Sequence, residues 1–357
     1  MQLKWLLGLF IAFSANADTD HELSLREKYA SSPENWPSVV TTDNRKVPEL
    51  APLPPLVDPP TAELVALGDK LFHDTILSKD NTVSCASCHE ARLVFTDLRK
   101  QAVGISQQVG KRNTPTIVGI DLWDSFFWDG RAKTAQQQAL MPIVDPKEMN
   151  ATIPGALTRL RESDDYLAEF KQVFPGEGIT AQTLSKAIVA FERTIKPPQS
   201  RFMTFIEQAY QTPKSAVDIL SVQELLGLHL FRTKARCMTC HNGPLMSDNQ
   251  FHVTGFHYYQ RKYHDGGRFD ITGRSADSGA FRTPSLWAVS KTGPWFHNGI
   301  MSSLSGIIGQ YNAGGPRPKP KEHQLDDPNF PKTTDLLVKL ELTKEEREAL
   351  EAFLKML

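Results

Sequence analysis

The sequence predicts an all-α fold built as two helical units with long loops and little β structure. Three observations predict it. Apolar residues recur at helical spacing in several segments. No segment sustains the period-two alternation of a half-buried strand. The four cysteines form two identically spaced pairs, one near the start of each unit. The 24 prolines and 22 glycines add long ordered loops. With 40 Lys+Arg against 41 Asp+Glu, the 357-residue chain has no global basic field, which excludes nucleic acid as an expected partner. A hydrophobic share of 40% suits one or two globular domains with proper cores.

Residues 1–17 read as a secretory signal: Lys4, an apolar run from Trp5 to Phe13, and a small-x-small site at Ala15-Asn16-Ala17 with cleavage after Ala17. That run is too short to span a bilayer, and no later stretch reaches the needed length. The expected location is the periplasm. Residues 18–60 are polar and end in Pro48, Pro52, Pro54, Pro55, Pro59 and Pro60, which reads as an extended arm or linker.

The first unit is placed at 61–215. Leu64, Val65, Leu67, Leu71 and Phe72 predict a helix from Thr61 to Asp74, and further helices are expected from about Ala132 to Leu140 and from Ala181 to Ile206, the last interrupted by Pro197-Pro198. The second unit is placed at 216–357. It has a helix from Ser221 to Phe231, a short one from Ser302 to Tyr311, and an amphipathic terminal helix from Thr343 to Leu357 with Glu345 and Glu346 near its start. The two units look like an imperfect internal duplication.

Cys85-Ala-Ser-Cys88-His89 and Cys237-Met-Thr-Cys240-His241 are both Cys-x-x-Cys-His and use every cysteine in the chain. Two thiols so spaced on one turn can form thioethers to the two vinyl groups of one haem, while the adjacent histidine meets the iron. A zinc site would need the pairs about 15–20 residues apart, and a redox dithiol needs neither the histidine nor a second copy. Two covalent haem c groups are therefore expected, with His89 and His241 as axial ligands. After His89 no histidine occurs until His229, so the first haem lacks an obvious second imidazole and is expected to be open. Met141 and Met149 remain as possible ligands.

These motifs resemble the bacterial di-haem cytochrome c peroxidase family, which includes MauG, over roughly residues 61–357. The residues that carry the resemblance are Leu71-Phe72-His73-Asp74, Ser84 with the first haem motif, Arg112-Asn113-Thr114-Pro115-Thr116, Phe127-Trp128-Asp129-Gly130-Arg131-Ala132, Gln138-Ala139 with Pro142 and Glu148-Met149, and Phe281-Arg282-Thr283-Pro284-Ser285-Leu286. The resemblance implies two cytochrome c-like domains. It implies a tryptophan between the haems (Trp128) and a distal glutamine and glutamate (Gln138, Glu148) in the peroxide pocket. It also implies a calcium ion between the domains, held by the Asn113 side chain and the Thr292 and Pro294 carbonyls, oxygen ligands of the kind calcium takes. A carboxylate in a dry pocket suits the proton transfer that peroxide cleavage requires.

Three departures refine this. The loop Gly104–Arg112 carries no histidine, whereas conventional family peroxidases place a capping histidine there. Where their Phe-His-x-Gly motif is followed fourteen residues on by a methionine ligand, Phe296-His297-Asn298-Gly299 is followed by Tyr311, as in MauG. Tyr311 is therefore the expected second ligand of the second haem, with Met301 or Met246 as alternatives. Ala235 replaces the surface tryptophan through which MauG oxidises its protein substrate, so that substrate is not implied. Trp123, Trp287 and Trp295 offer other routes, and Phe251–Phe269 reads as a lid, a partner-facing loop or a packed loop. The resulting expectation is a peroxidase that reduces hydrogen peroxide at the first haem with electrons from a small periplasmic cytochrome c or cupredoxin. The alternatives are a MauG-like oxidant of a protein substrate, or a non-enzymatic di-haem electron carrier.

Overall fold

The computed structural model describes residues 24–357. The expected signal sequence and its cleavage site lie outside these residues. Nine helices of nine or more residues carry the described part: α1 Ala62–His73, α2 Ala135–Val144, α3 Ile153–Arg161, α4 Asp164–Val173, α5 Ala181–Arg193, α6 Arg201–Gln211, α7 Val222–Arg232, α8 Leu304–Asn312 and α9 Lys344–Lys355. Each starts behind a Ser or Thr whose hydroxyl accepts an orphan N–H of the first turn. The one sheet among the described residues pairs β1 Phe251–His252 with β2 Phe281–Arg282, antiparallel, with Phe251 opposite Arg282.

Two apolar cores result. One gathers Leu67, Leu71, Phe72, Leu157, Phe170 and Leu184. The other gathers Phe202, Phe205, Leu228, Phe231, Trp287 and Phe353. Each is organised by one tight helix crossing. A Cβ on Gly68 of α1 would strike the Ala187 carbonyl of α5, and a Cβ on Gly227 of α7 would strike the Ala349 carbonyl of α9. One turn on from each glycine stand Phe72 and Phe231, which meet Phe191 and Phe353 at ring separations of 5.0 and 5.1 Å. The same four positions thus build both crossings, and the duplication expected from the cysteine pairs extends to helix packing.

The structure differs from the sequence-based reading in three places. The Ala181–Ile206 segment is two helices, because neither Pro197 nor Pro198 can donate a helical hydrogen bond. Helices α3 and α4 were not anticipated; their apolar residues (Ala156, Leu157, Leu160, Tyr166, Phe170) are few and split by a short Glu162-Ser163 joint. From residue 24 onward, the segment expected to be an extended arm or linker is docked. It starts with a helical turn over 24–29. Leu25, Tyr29, Trp36 and Leu50 are all buried in the second core, and Arg232 holds the segment through Glu49 and the Pro37 carbonyl.

Gly227→Ala should lower stability by about 1–3 kcal/mol, since overpacking against the Ala349 backbone outweighs the ~1 kcal/mol helix-propensity gain of alanine. Thermal melts followed by far-UV circular dichroism check the sign.

Candidate functional site

Both Cys-x-x-Cys-His motifs fold as a single turn, Cys85–Ser87 and Cys237–Thr239, in which the histidine N–H closes onto the first cysteine's carbonyl at 2.9 Å. Burial pushes the thiols of Cys85, Cys88 and Cys237 up to about 12. A redox-active dithiol has a thiol shifted the other way, toward the thiolate. Burial also lowers the pKa of His89 and His241, keeping the imidazoles neutral as iron ligation requires. Each ring donates Nδ1–H to a carbonyl, His89 to Phe95 at 3.0 Å and His241 to Met246 at 3.1 Å. That fixes the tautomer and leaves Nε2 for a metal.

Cys237, Cys240, His241 and Tyr311 line one cavity, whose wall also contains Trp123, Trp128, Arg282, Trp295, His297, Ile307 and Leu354. Neither Met246 nor Met301 is part of that wall. Burial raises the Tyr311 pKa well above the usual phenol range. Asn113, Thr292 and Pro294, the expected calcium ligands, stand in the same wall. The Asn113 side chain donates its N–H to the Arg99 carbonyl at 2.7 Å.

The internal repeat is most explicit around this wall. Gly119 and Ala288, both left-handed, open the short turns Ile120–Leu122 and Val289–Lys291. Single antiparallel bridges follow, Phe126 with Ala132 and Trp295 with Met301. Within them Phe127 and Phe296 have φ of 65° and 67°, and Gly130 and Gly299 have 65° and 60°. Thr134 and Ser303 then cap α2 and α8. At one constant interval, Trp128 corresponds to His297, Asn113 to Arg282, Gln138 to Ile307 and Pro142 to Tyr311. Helix α2 therefore carries Gln138 and Pro142 where α8 turns Ile307 and Tyr311 to its cavity. Proline has no side-chain atom that can ligate iron.

Around the first motif, Glu148 lies close enough to Cys85 and Cys88 to act electrostatically on both thiols. Burial, with a smaller push from Asp145 and an opposing pull from Arg131, lifts the Glu148 carboxyl to about 7. Gln138 is half-buried. The histidine-free loop after Gly104 is tied to this segment: Ile105 N–H donates to the Glu148 carbonyl at 2.8 Å and Gln108 Nε2 to that of Pro146 at 3.2 Å. A Cβ on Gly104 would collide with the Lys147 and Glu148 backbone, so only glycine permits the approach.

Between the units, Trp128 is buried and its indole N–H donates to the Asn113 carbonyl at 2.8 Å. Beside it Arg112 pairs bidentately with Asp265 (2.8 Å twice) and with Asp129 (2.5 Å), and Asn113 N–H donates to the His297 carbonyl at 2.7 Å.

A family model described as di-haem cytochrome c peroxidase matches residues 62–211. Cytochrome c551 peroxidase of Nitrosomonas europaea is 36% identical over 72% of this chain and 75% of that protein. Methylamine utilization protein MauG of Methylorubrum extorquens is 32% identical over 87% and 82%. A solved MauG-like protein associated with microbial copper homeostasis superposes with a TM-score of 0.72 at 30% identity, covering 89% of this chain and 95% of that one. The chain belongs to the di-haem cytochrome c peroxidase family. It is accordingly an oxidoreductase with two haem c groups, and the residues present fit them: paired cysteines on one turn and a neutral imidazole in each motif, with an apolar-walled cavity at the second. Among the described residues no helix is long and apolar enough to cross a membrane.

Of the other expectations, Trp123 and Trp295 join the cavity wall, whereas Trp287 is core and donates to the Pro244 carbonyl. Ala235 is buried. The Phe251–Phe269 tract is packed towards its ends, with β1 at its start, His257 buried and Asp265 in the Arg112 pairing, and is exposed over residues 260–264.

One residue escaped the sequence reading. Glu192 on α5 is buried, and burial alone raises its carboxyl to about 8. It follows Phe191 as Leu354, in the second cavity wall, follows Phe353. That correspondence, and not composition, is the signal that could have found it.

Both raised carboxyls stay protonated in the folded chain where the unfolded chain has already ionised near 4.5. The unfolded state then binds fewer protons, so stability should fall as pH rises from about 4.5 to 8. Urea unfolding across this range should show the decline, and Glu192→Gln should flatten its upper part.

Proposed function

We propose that the chain is a periplasmic enzyme that reduces hydrogen peroxide at the haem of residues 61–215, with electrons passed from a small cytochrome c or cupredoxin through the haem of residues 216–357. The observation that carries the reading is the contrast at one repeated helix position, Pro142 on α2 against Tyr311 on α8. It supports a first site in which His89 alone would hold the iron and a second in which His241 and Tyr311 would both hold it. The haems, once bound, would supply the iron that takes peroxide and the path by which the donor's two electrons reach it.

The chain's own residues supply the rest. A Glu148 carboxyl at about 7 populates both forms near neutrality. It can take a proton from the bound peroxide and return it to the departing oxygen, general acid–base work worth roughly 10²–10⁴ in rate. The Gln138 amide orients peroxide beside it. Gly104 and its loop hold the Glu148 backbone, and Trp128, fixed by its indole hydrogen bond, is the electron path. A calcium ion would take Asn113 Oδ1 and the Thr292 and Pro294 carbonyls, oxygen ligands of the kind it prefers.

Tyr311 specifically favours a second reading, in which oxidising equivalents act on side chains of a protein substrate. An anionic phenolate ligand would stabilise oxidised iron and make the second haem a poor acceptor for a mild donor.

The deciding experiment mixes all-ferric protein with stoichiometric peroxide, without prior reduction, and follows visible and near-infrared spectra. A rapid reaction is expected, because the loop that would carry a cap has no histidine. No reaction until one electron is added would refute the open site. Sustained turnover with reduced cytochrome c supports the peroxidase, and a long-lived oxidised form that cytochrome c leaves untouched supports the second reading. Glu148→Gln should keep both haems and slow the peroxide reaction at least ~tenfold; unchanged stopped-flow kinetics would remove Glu148 from the mechanism.

A further inference from the structure

Two arginines with little exposed side chain are paired with acids, Arg112 with Asp129 and Asp265 and the buried Arg232 with Glu49. Arg282 is not. It is 8% exposed, its Nη1 has no hydrogen-bond partner, and its Nε reaches the Phe127 carbonyl only at 3.4 Å. Its guanidinium carbon lies 3.3 Å from the centre of the Trp123 ring, which holds the plane in place without supplying negative charge. Arg282 stands in the wall of the second cavity, and that wall contains no Asp or Glu. Burial therefore acts on it uncompensated, lowering its pKa to about 9. Keeping a cation out of water without a counter-charge is costly enough that buried charges are found paired. The chain provides no partner, so the partner arrives with whatever fills the cavity.

We propose that Arg282 is the anion-binding residue of the second cavity and that it holds a propionate carboxylate of the second haem. The proposal rests on the reading that Cys237, Cys240 and His241 bind haem. Haem is apolar except for its two carboxylates, and the planar guanidinium is suited to grip one of them bidentately. Arg282 is then a positioning residue with an electronic effect. Its charge near the macrocycle favours the ferrous form, one of the ways a protein sets haem potential. Asn113, at the equivalent position of the first unit, carries no charge, so this influence belongs to one haem.

The test is spectroelectrochemical titration of the holoprotein, wild type against Arg282→Gln and Arg282→Lys, after haem content is measured by pyridine haemochrome and intact mass. Arg282→Gln should shift the second haem at least tenfold toward ferric, about 59 mV for a one-electron couple. The first haem should stay put, and Arg282→Lys should recover most of the shift. Two haems with unchanged potentials in Arg282→Gln, or a shift confined to the first haem, would overturn the proposal and leave the haem reading intact. Wild-type protein carrying haem only at Cys85 and Cys88 would overturn both. A crystal structure of the wild-type holoprotein decides independently of variant folding. Arg282 within hydrogen-bond distance of a second-haem propionate is expected, and propionates directed elsewhere would refute it.

Discussion

Arg112 is the interaction on which the rest of the arrangement depends. One guanidinium reaches Asp129 in its own unit and, with two parallel 2.8 Å hydrogen bonds, Asp265 in the other. Burial works against ionising these groups. The Arg112 pairing overcomes it at Asp265 and holds that carboxyl down at about 2. A charge triad of this kind repays its desolvation only when its hydrogen bonds are well made, so it tolerates one geometry and enforces it. The residue after Arg112 is Asn113, whose N–H holds the His297 carbonyl and whose own carbonyl receives the Trp128 indole. The residue before Asp129 is Trp128 itself. The clamp thus fixes, within a few bonds, the aromatic group between the units and the part of the cavity wall formed by Asn113, Trp128 and His297.

Around that clamp the chain repeats one plan and differentiates it by few substitutions. The helix crossings at Gly68 and Gly227, the left-handed Phe127 and Phe296, and the capped α2 and α8 are the same solution reached twice. Divergence is concentrated at positions whose second-unit members line the cavity: Pro142 against Tyr311, Gln138 against Ile307, Glu192 against Leu354. Every one of these changes puts polarity or a potential ligand on one side and removes it from the other. The two Cys-x-x-Cys-His turns diverge as well. Ser87 is exposed, while its counterpart Thr239 is buried beneath the N-terminal segment, with Thr42 N–H on its hydroxyl at 3.0 Å and Arg45 on its carbonyl.

Much of this was readable beforehand because it depends on local chemistry. The cysteine spacing determines a turn, the Ser and Thr caps mark helix starts, and the two-copy pattern predicts two cores. What escaped depended on tertiary contacts. The N-terminal segment reads as a linker by composition, yet Leu25, Tyr29, Trp36 and Leu50 suffice to bury it once a matching surface exists. Helices α3 and α4 are stabilised chiefly by a few core contacts, and short elements of that kind leave weak periodicity. The acids that clamp Arg112 were not legible as a group either, since Asp265 lies in a loop rich in His and Tyr that hides its role. Glu192 looks like any helical glutamate until its counterpart is seen to be a leucine.

The two sites differ most in the charge they accept. Near the first, burial raises Glu148 to about 7 and Glu192 to about 8, so protons can be taken up or released there around neutrality. The second cavity has arginines and histidines in its wall and no carboxylate, which suits negative charge brought in by a bound group. On the proposed route between them, the indole N–H of Trp128 is committed to a backbone carbonyl. A carbonyl oxygen is a hydrogen-bond acceptor but far too weak a base to remove that proton. On the proposed mechanism an electron would therefore cross the indole while its proton stays in place, and proton chemistry would be left to Glu148 at the first site.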